Sequence, residues 1–261
     1  MRELAAARRA AGAAADLLRE GAGRRSYREK GRNDLVTEVD EAAEARIVEI
    51  LGSAFPDDAV VAEEAHAETV TRGRRWVIDP VDGTTNFVHG HPFCCVSIAL
   101  VDEEGPAVAV VDAPFLAERY AAVRGGGAWL GNERLRVSTV DELGESLCGT
   151  GFPFRKGKGD PEAYMRLVGE VVVGSHGVRR AGSAALDLAY VAAGRLDGFF
   201  EIGLATWDVA AGILLITEAG GRVTGWPGDD APPIETGRII ASNGRVHAEL
   251  EAVIEPYTER I

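Results

Sequence analysis

The stretch Trp76-Val77-Ile78-Asp79-Pro80-Val81-Asp82-Gly83-Thr84-Thr85-Asn86 constrains this chain more than any other. Its apolar, β-branched start reads as a buried strand, and Asp79-Pro80 is expected to end that strand, because proline brings no N–H to a ladder. Two carboxylates three residues apart would otherwise be dispersed by the pleat. Pro80 fixes one φ and Gly83 admits an unusual one, so both acids can turn toward one point at the strand end. Carboxylate oxygens, the Val81 carbonyl between them and the Thr84 hydroxyl are ligands of the kind a hard cation such as magnesium takes. For an isolated pair, a turn capped by its own aspartates is the plainer reading. Here two further acid-bearing element ends weigh against it. Val60-Val61-Ala62-Glu63-Glu64 is another strand ending in acids, and Trp207-Asp208-Val209-Ala210-Ala211-Gly212 opens an apolar helix.

Taken in order, Glu63-Glu64, the run Asp79 to Asn86, and Trp207 to Gly212 resemble the signature set of the inositol monophosphatase family of magnesium-dependent, lithium-sensitive phosphatases. The resemblance extends from Asp34-Leu35-Val36-Thr37 to Glu218-Ala219-Gly220-Gly221. It implies a layered α/β fold, a stacked α-β-α-β-α sandwich of the inositol monophosphatase and fructose-1,6-bisphosphatase type. Residues 1–261 would form a single domain with halves of about 1–145 and 146–261. It implies about two or three Mg2+ ions per site, in the manner of two-metal phosphatases. Glu63, Asp79, the Val81 carbonyl and Thr84 would hold one ion, and Asp79, Asp82 and Asp208 a second. The catalytic residues would be Glu63, Thr84 and Asp40, the last pairing with Thr84 to help activate a water. Gly83, Thr84, Gly182, Ser183, Ala184, Glu201 and Asp208 would face the substrate, a small phosphate ester. A homodimer and lithium inhibition are further implications of the resemblance.

Along the chain, residues 2 to 20, rich in alanine with leucine and arginine, predict a helix stopping near Gly21 to Gly23. Arg24 to Asn33 reads as a polar connection. Lys30 lies in it, near where a lysine of the family approaches the phosphate. Thr37 and Asp40 have the form of an N-cap and the acid of a capping box, for a helix reaching about Gly52. Phe93–Val101, Pro106–Asp112, Glu118–Val123 and Ala128–Leu130 suggest an antiparallel sheet. His89 and His91, in the loop after Asn86, lack the third soft ligand a zinc site needs.

The second half opens with Ser146 to Gly151, a Gly-Thr-Gly run that is weak evidence for phosphate binding on its own. Phe152-Pro153-Phe154 and a charged loop over 155–160 follow, then a helix over Pro161 to Glu170. Ser183 is a natural N-cap for the helix whose apolar face runs from Leu186 to Ala193. Glu201, in the strand Phe199–Ile202, is either solvated at an edge or turned toward a polar site, since inward acids are rare without partners. Asp208 precedes a helix reaching about Glu218. Strands over 221–224 and 238–242 and a helix over 246–254 complete a second sheet and its cover.

Net charge bears on partners. At −13 the chain is ill suited to nucleic acid or to an anionic membrane. The same charge repels an anionic substrate unless bound cations invert the local field. No apolar run approaches bilayer length and the start has no signal-peptide pattern, so the protein is expected to be cytoplasmic. Cys94, Cys95 and Cys148 have neither disulfide nor zinc spacing and read as core thiols. The expected activity is hydrolysis of inositol monophosphate to inositol and phosphate by an activated water. Fructose-1,6-bisphosphatase is the runner-up, and histidinol phosphate or a nucleotide 3′-phosphate are further candidate substrates. A non-catalytic regulatory protein on the same fold is the reading from another class. Its mark would be a lost acid, and Glu63, Asp79, Asp82 and Asp208 are all present.

Overall fold

The computed structural model describes residues 1–23, 26–31, 34–64, 73–152 and 160–261, without the side chains of residues 30, 31 and 34. Helix α1 (Arg2–Gly21) buries Ala6, Ala7, Ala10, Ala11, Ala14, Ala15 and Leu18, a stripe at helical spacing made almost entirely of alanine. Such small side chains let its neighbours approach closely. Strands β1 (Arg28–Gly31) and β2 (Asp34–Val36) pair in antiparallel fashion, Arg28 opposite Val36, where the sequence suggested only a connection. Helix α2 (Glu38–Ala54) carries the expected capping box: the Thr37 hydroxyl accepts the Asp40 amide, and Asp40 Oδ2 accepts the Thr37 amide at 3.0 Å.

Seven strands follow: β3 (Ala59–Ala62), β4 (Arg75–Asp82), β5 (Cys95–Asp102), β6 (Gly105–Ala113), β7 (Glu118–Val123), β8 (Gly127–Leu130) and β9 (Glu133–Arg134). They lie side by side in chain order, β3 parallel to β4 and the others antiparallel. Between β4 and β5 the chain forms a short helix, α3 (Thr84–His89), so His89 closes a helix rather than lying in a loop. The second sheet joins β10 (Leu147–Thr150), β11 (Gly177–Arg179), β12 (Gly198–Glu201), β13 (Arg222–Thr224) and β14 (Ile239–Ser242) in the order β11-β10-β12-β14-β13. Helices α4 (Pro161–Val173), α5 (Ala184–Ala192), α6 (Thr206–Glu218), α7 (Pro233–Thr236) and α8 (His247–Ile254) complete the fold.

Alternation along β4 shows how the layers arise. Trp76 and Ile78 enter a core with α1 and α2, whereas Val77 enters a core with α5 and α6. The same middle core receives Phe199 and Ala241 of the second sheet, whose other face, with Phe200 and Ile240, packs on α4 and α8. The result is a five-layer α-β-α-β-α stack, as the family resemblance implied. Cys94, Cys95 and Cys148 are buried and unpaired.

β4 does not stop at Asp79-Pro80. It continues to Asp82, pairing Asp79 with Ser97 and Asp82 with Cys95 across an irregular register. Pro80 is tolerated because it sits within that bulge, while on the other side the ladder with β3 has already ended at Ala62–Ile78. α4 runs three residues beyond the predicted Glu170, and α7 was not foreseen at all. The Lys30 side chain and residues 153–159 lie outside the described part of the chain.

The α5–α6 contact is close enough to test. A Cβ on Gly212 would stand 2.5 Å from Leu188 Cβ, on a helix that packs in the core between the two sheets. Gly212→Ala should therefore destabilise the protein by about 1–3 kcal/mol despite alanine's better helix propensity, read as a lower midpoint in urea unfolding. An unchanged or raised midpoint would mean the helices can slide.

Candidate metal centre

The bulge in β4 and the turn after it bring the acids together. Gly83 has φ 94, and a Cβ there would lie 3.1 Å from the carbonyl oxygens of both Gly182 and Phe93. The position needs glycine twice over, for its backbone and for its closeness to neighbouring chain. Asp79 Oδ1 accepts the Val81 amide at 2.9 Å. Asp82 Oδ2 accepts the Ser183 hydroxyl and the Ala185 amide, each at 2.7 Å. Asp82 therefore caps α5 from a different element. Ser183 occupies the N-cap position as expected, but its hydroxyl serves Asp82 and makes no cap bond to its own helix. Asp208, in the first turn of α6, accepts the Ala205 amide at 2.6 Å.

Carboxylate oxygens of Asp79, Asp82 and Asp208 all lie within 4.8 Å of one another. Glu63, just past β3, faces the same space. Burial, and then the charges of Glu63, Asp82 and Asp208, hold the Asp79 carboxyl well above its ordinary range. Asp82 is pushed up to about 6, chiefly by burial and against the bonds from Ser183 and Ala185. Acids held this close repel one another unless a cation joins them. Hard oxygen donors fit magnesium, calcium or manganese, whereas the buried Cys94 and Cys95 do not line the space. No second His, Cys, Asp and Glu cluster of this kind occurs among the described residues, and His89 and His91 form no metal group there.

The Thr84 hydroxyl lies 3.0 Å from both Asp40 Oδ1 and the Val81 carbonyl. Asp40 thus serves two elements: one oxygen caps α2 and the other holds Thr84. Burial raises its pKa despite those bonds. Both placements read for Asp40, in the capping box and beside Thr84, are found in the structure. The Asn86 amide donates to the carbonyls of Phe93 at 2.7 Å and Ala181 at 2.9 Å, tying α3 to the loop that carries Gly182.

These groups line a cavity of about 460 Å³. Glu63, Asp79, Val81, Asp82, Gly83, Thr84, Gly182, Ser183, Ala184, Glu201 and Asp208 all reach it, and Asp40 stands behind Thr84 without lining it. Glu201 does turn to this polar space, and burial with the charges of Asp208 and Asp187 raises its pKa well above the ordinary value. The sequence reading overlooked Asp187, Arg180 and Glu29 in the lining, and it weighed the run holding Thr150 and Gly151 without giving it a role. For Asp187 a signal existed: it is the one acid in the otherwise apolar α5.

The sequence matches the inositol monophosphatase family over residues 1–259. The Nus factor SuhB of Escherichia coli (strain K12) is 48% identical over 219 residues, which are 84% of this chain and 81% of that protein. An inositol-1-monophosphatase of Synechocystis is 45% identical over 230 residues, 87% and 79% of the two chains. The crystal structure of the extragenic suppressor protein suhB from Bartonella henselae superposes with a TM-score of 0.91 at 37% identity, covering 98% of this chain and 99% of the other.

Proposed function

The chain belongs to the inositol monophosphatase family, and from that premise we propose that it is a magnesium-dependent phosphomonoesterase converting inositol monophosphate to inositol and phosphate. The observation that carries this reading is the meeting of Asp79, Asp82 and Asp208 within 4.8 Å at the wall of a cavity. Glu63, Asp79, the Val81 carbonyl and Thr84 would hold one magnesium ion, and Asp79, Asp82 and Asp208 a second. Bound there, the ions would supply neutralising charge for the phosphoryl oxygens and an acidified water.

The chain's own groups then have distinct tasks. Glu63 would orient the attacking water and accept its proton, assisted by Thr84, whose hydroxyl is held by Asp40 at 3.0 Å. Gly83, bare of side chain, leaves backbone open to the phosphate beside Thr84. Gly182, Ser183, Ala184 and Glu201 would contact the organic part of the ester, next to Asp208. Asp79 and Asp82 stand on β4 and Asp208 on α6, elements whose core packing would keep these acids oriented toward one point.

Relatives named Nus factor SuhB give a second reading, a non-catalytic role exerted through a protein partner on the same fold. Phosphate release from myo-inositol 1-phosphate and fructose 1,6-bisphosphate, with magnesium, without it, and with lithium added, separates the two. Magnesium-dependent, lithium-inhibited release favouring the inositol ester is expected. Preference for the bisphosphate would keep the chemistry and change the substrate, whereas release from neither would leave the partner-based role. The proposal includes a cytoplasmic homodimer, which sedimentation should show as twice the 27.7 kDa chain mass. Among the described residues no helix is long and apolar enough to cross a membrane.

A further inference from the structure

The Gly149-Thr150-Gly151 end of β10 has no role in the scheme above, yet its shape is specific. Thr150 turns outward, its oxygen 2.9 Å from the Tyr164 hydroxyl and donating to the Phe200 carbonyl at 2.8 Å. The two glycines share the opposite face of the strand. A Cβ on Gly151 would stand 1.9 Å from Glu201 Oε1, and one on Gly149 would stand 3.7 Å from Asp187 Cγ. Gly151 thus makes room for the Glu201 carboxyl, and Gly149 leaves the Asp187 carboxyl at ordinary contact distance on the same face.

Asp187 is only 2% exposed, yet it lines the cavity. No hydrogen bond from the described residues reaches its carboxyl. Burial and the charge of Asp82 push its pKa well up, with Arg180 acting in the other direction. Buried as it is, the carboxyl has, among the described residues, only the charge of Arg180 to offset its desolvation, and it opens on the cavity. The missing partner is one that enters the cavity. Acids side by side, with Arg180 acting on both, offer hydrogen-bond acceptors that suit a molecule bearing several hydroxyls.

Resting on the phosphatase reading above, we propose that Asp187 is a specificity-determining residue that, beside Glu201, accepts a hydroxyl hydrogen bond from the polyol part of the substrate. The test compares Asp187→Ala and Asp187→Asn with the parent protein on myo-inositol 1-phosphate and on 4-nitrophenyl phosphate, an ester without hydroxyls. Asp187→Ala should lower kcat/KM for the inositol ester about 10- to 100-fold, mainly through KM, the effect of losing one bond to a buried acid. The aryl ester should change by less than about threefold, since it makes no bond there to lose. Asp187→Asn, which keeps an acceptor of the same shape, should recover part of the loss, and it carries the comparison if the alanine variant does not fold. Equal losses on both esters, or no loss on either, would overturn the proposal. Absence of magnesium-dependent turnover of either ester by the parent protein would instead remove the phosphatase reading, and this proposal with it.

Discussion

Asp79→Asn is expected to cut magnesium-dependent phosphate release by about 10³-fold or more while raising the melting temperature of the metal-free protein. The loss follows from removing a ligand proposed to touch both ions, whose charge stabilisation is worth several kcal/mol at about 1.4 kcal/mol per decade of rate. The gain in stability follows from the same charge. Asp79 is 2% exposed and sits among Glu63, Asp82 and Asp208, so in the absence of metal its ionised form is opposed by burial and by three neighbours. Its bond from the Val81 amide can be kept by the oxygen of an asparagine. Neutralising it therefore removes repulsion without removing a hydrogen bond. Melting curves in EDTA and in magnesium, run beside the kinetic assay, decide the matter. A lower midpoint in EDTA would show that activity was lost through damage to the fold.

The metal-free protein should also lose stability as the pH rises from about 4 toward 7, and magnesium should cancel that loss. Asp82 has its folded pKa pushed up to about 6, from an ordinary 3.8. Between those values the folded carboxyl keeps a proton that the unfolded chain has released. The folded state then binds more protons, and stability falls with rising pH through the window. Two units correspond to about 3 kcal/mol at most, and Asp40, Asp79, Asp187 and Glu201 shift in the same direction. Glu3 and Asp102 shift downward, but they are solvent-accessible and screened; His247, lowered to about 4 by burial, works against the trend between about 4 and 6.5 and offsets a share comparable to that of Asp82, so the other four acids carry the sign. The expected result is a midpoint several degrees higher at pH 5 than at pH 7.5 in EDTA, with the order reversed in excess magnesium, which binds the ionised acids. A midpoint in EDTA that rises across this range would refute the electrostatic account of the site.

The acids that gather at the site were legible because three acid-bearing element ends, at Glu63-Glu64, at Asp79 to Asp82 and at Asp208, are harder to explain as separate turns than as one shared target. The Thr37–Asp40 capping box was equally plain, and the second bond that Asp40 makes, to Thr84, came only with the family resemblance. What escaped was set by distant neighbours. Pro80 ends a strand by local rules, yet β4 continues because the bulge against β5 and the earlier end of the β3 ladder ask nothing of its nitrogen. Ser183 looked like a cap for its own helix until Asp82, 101 residues away, took its hydroxyl. Asp187 would lie on the wet face of an ordinary amphipathic helix, but α5 is enclosed between two sheets and has no such face. The four residues of α7 and the two of β9 are too short for any periodicity to register.

The bond set of Asp82 changes what its survival in a lineage can mean. Because it fastens the start of α5 through Ser183 and Ala185, selection for a correctly assembled domain would retain it in a descendant that had abandoned hydrolysis altogether. Its presence in a relative is thus poor testimony to chemistry. Asp79, whose backbone partner asparagine would serve as well, is the position where drift should first record that turnover no longer matters.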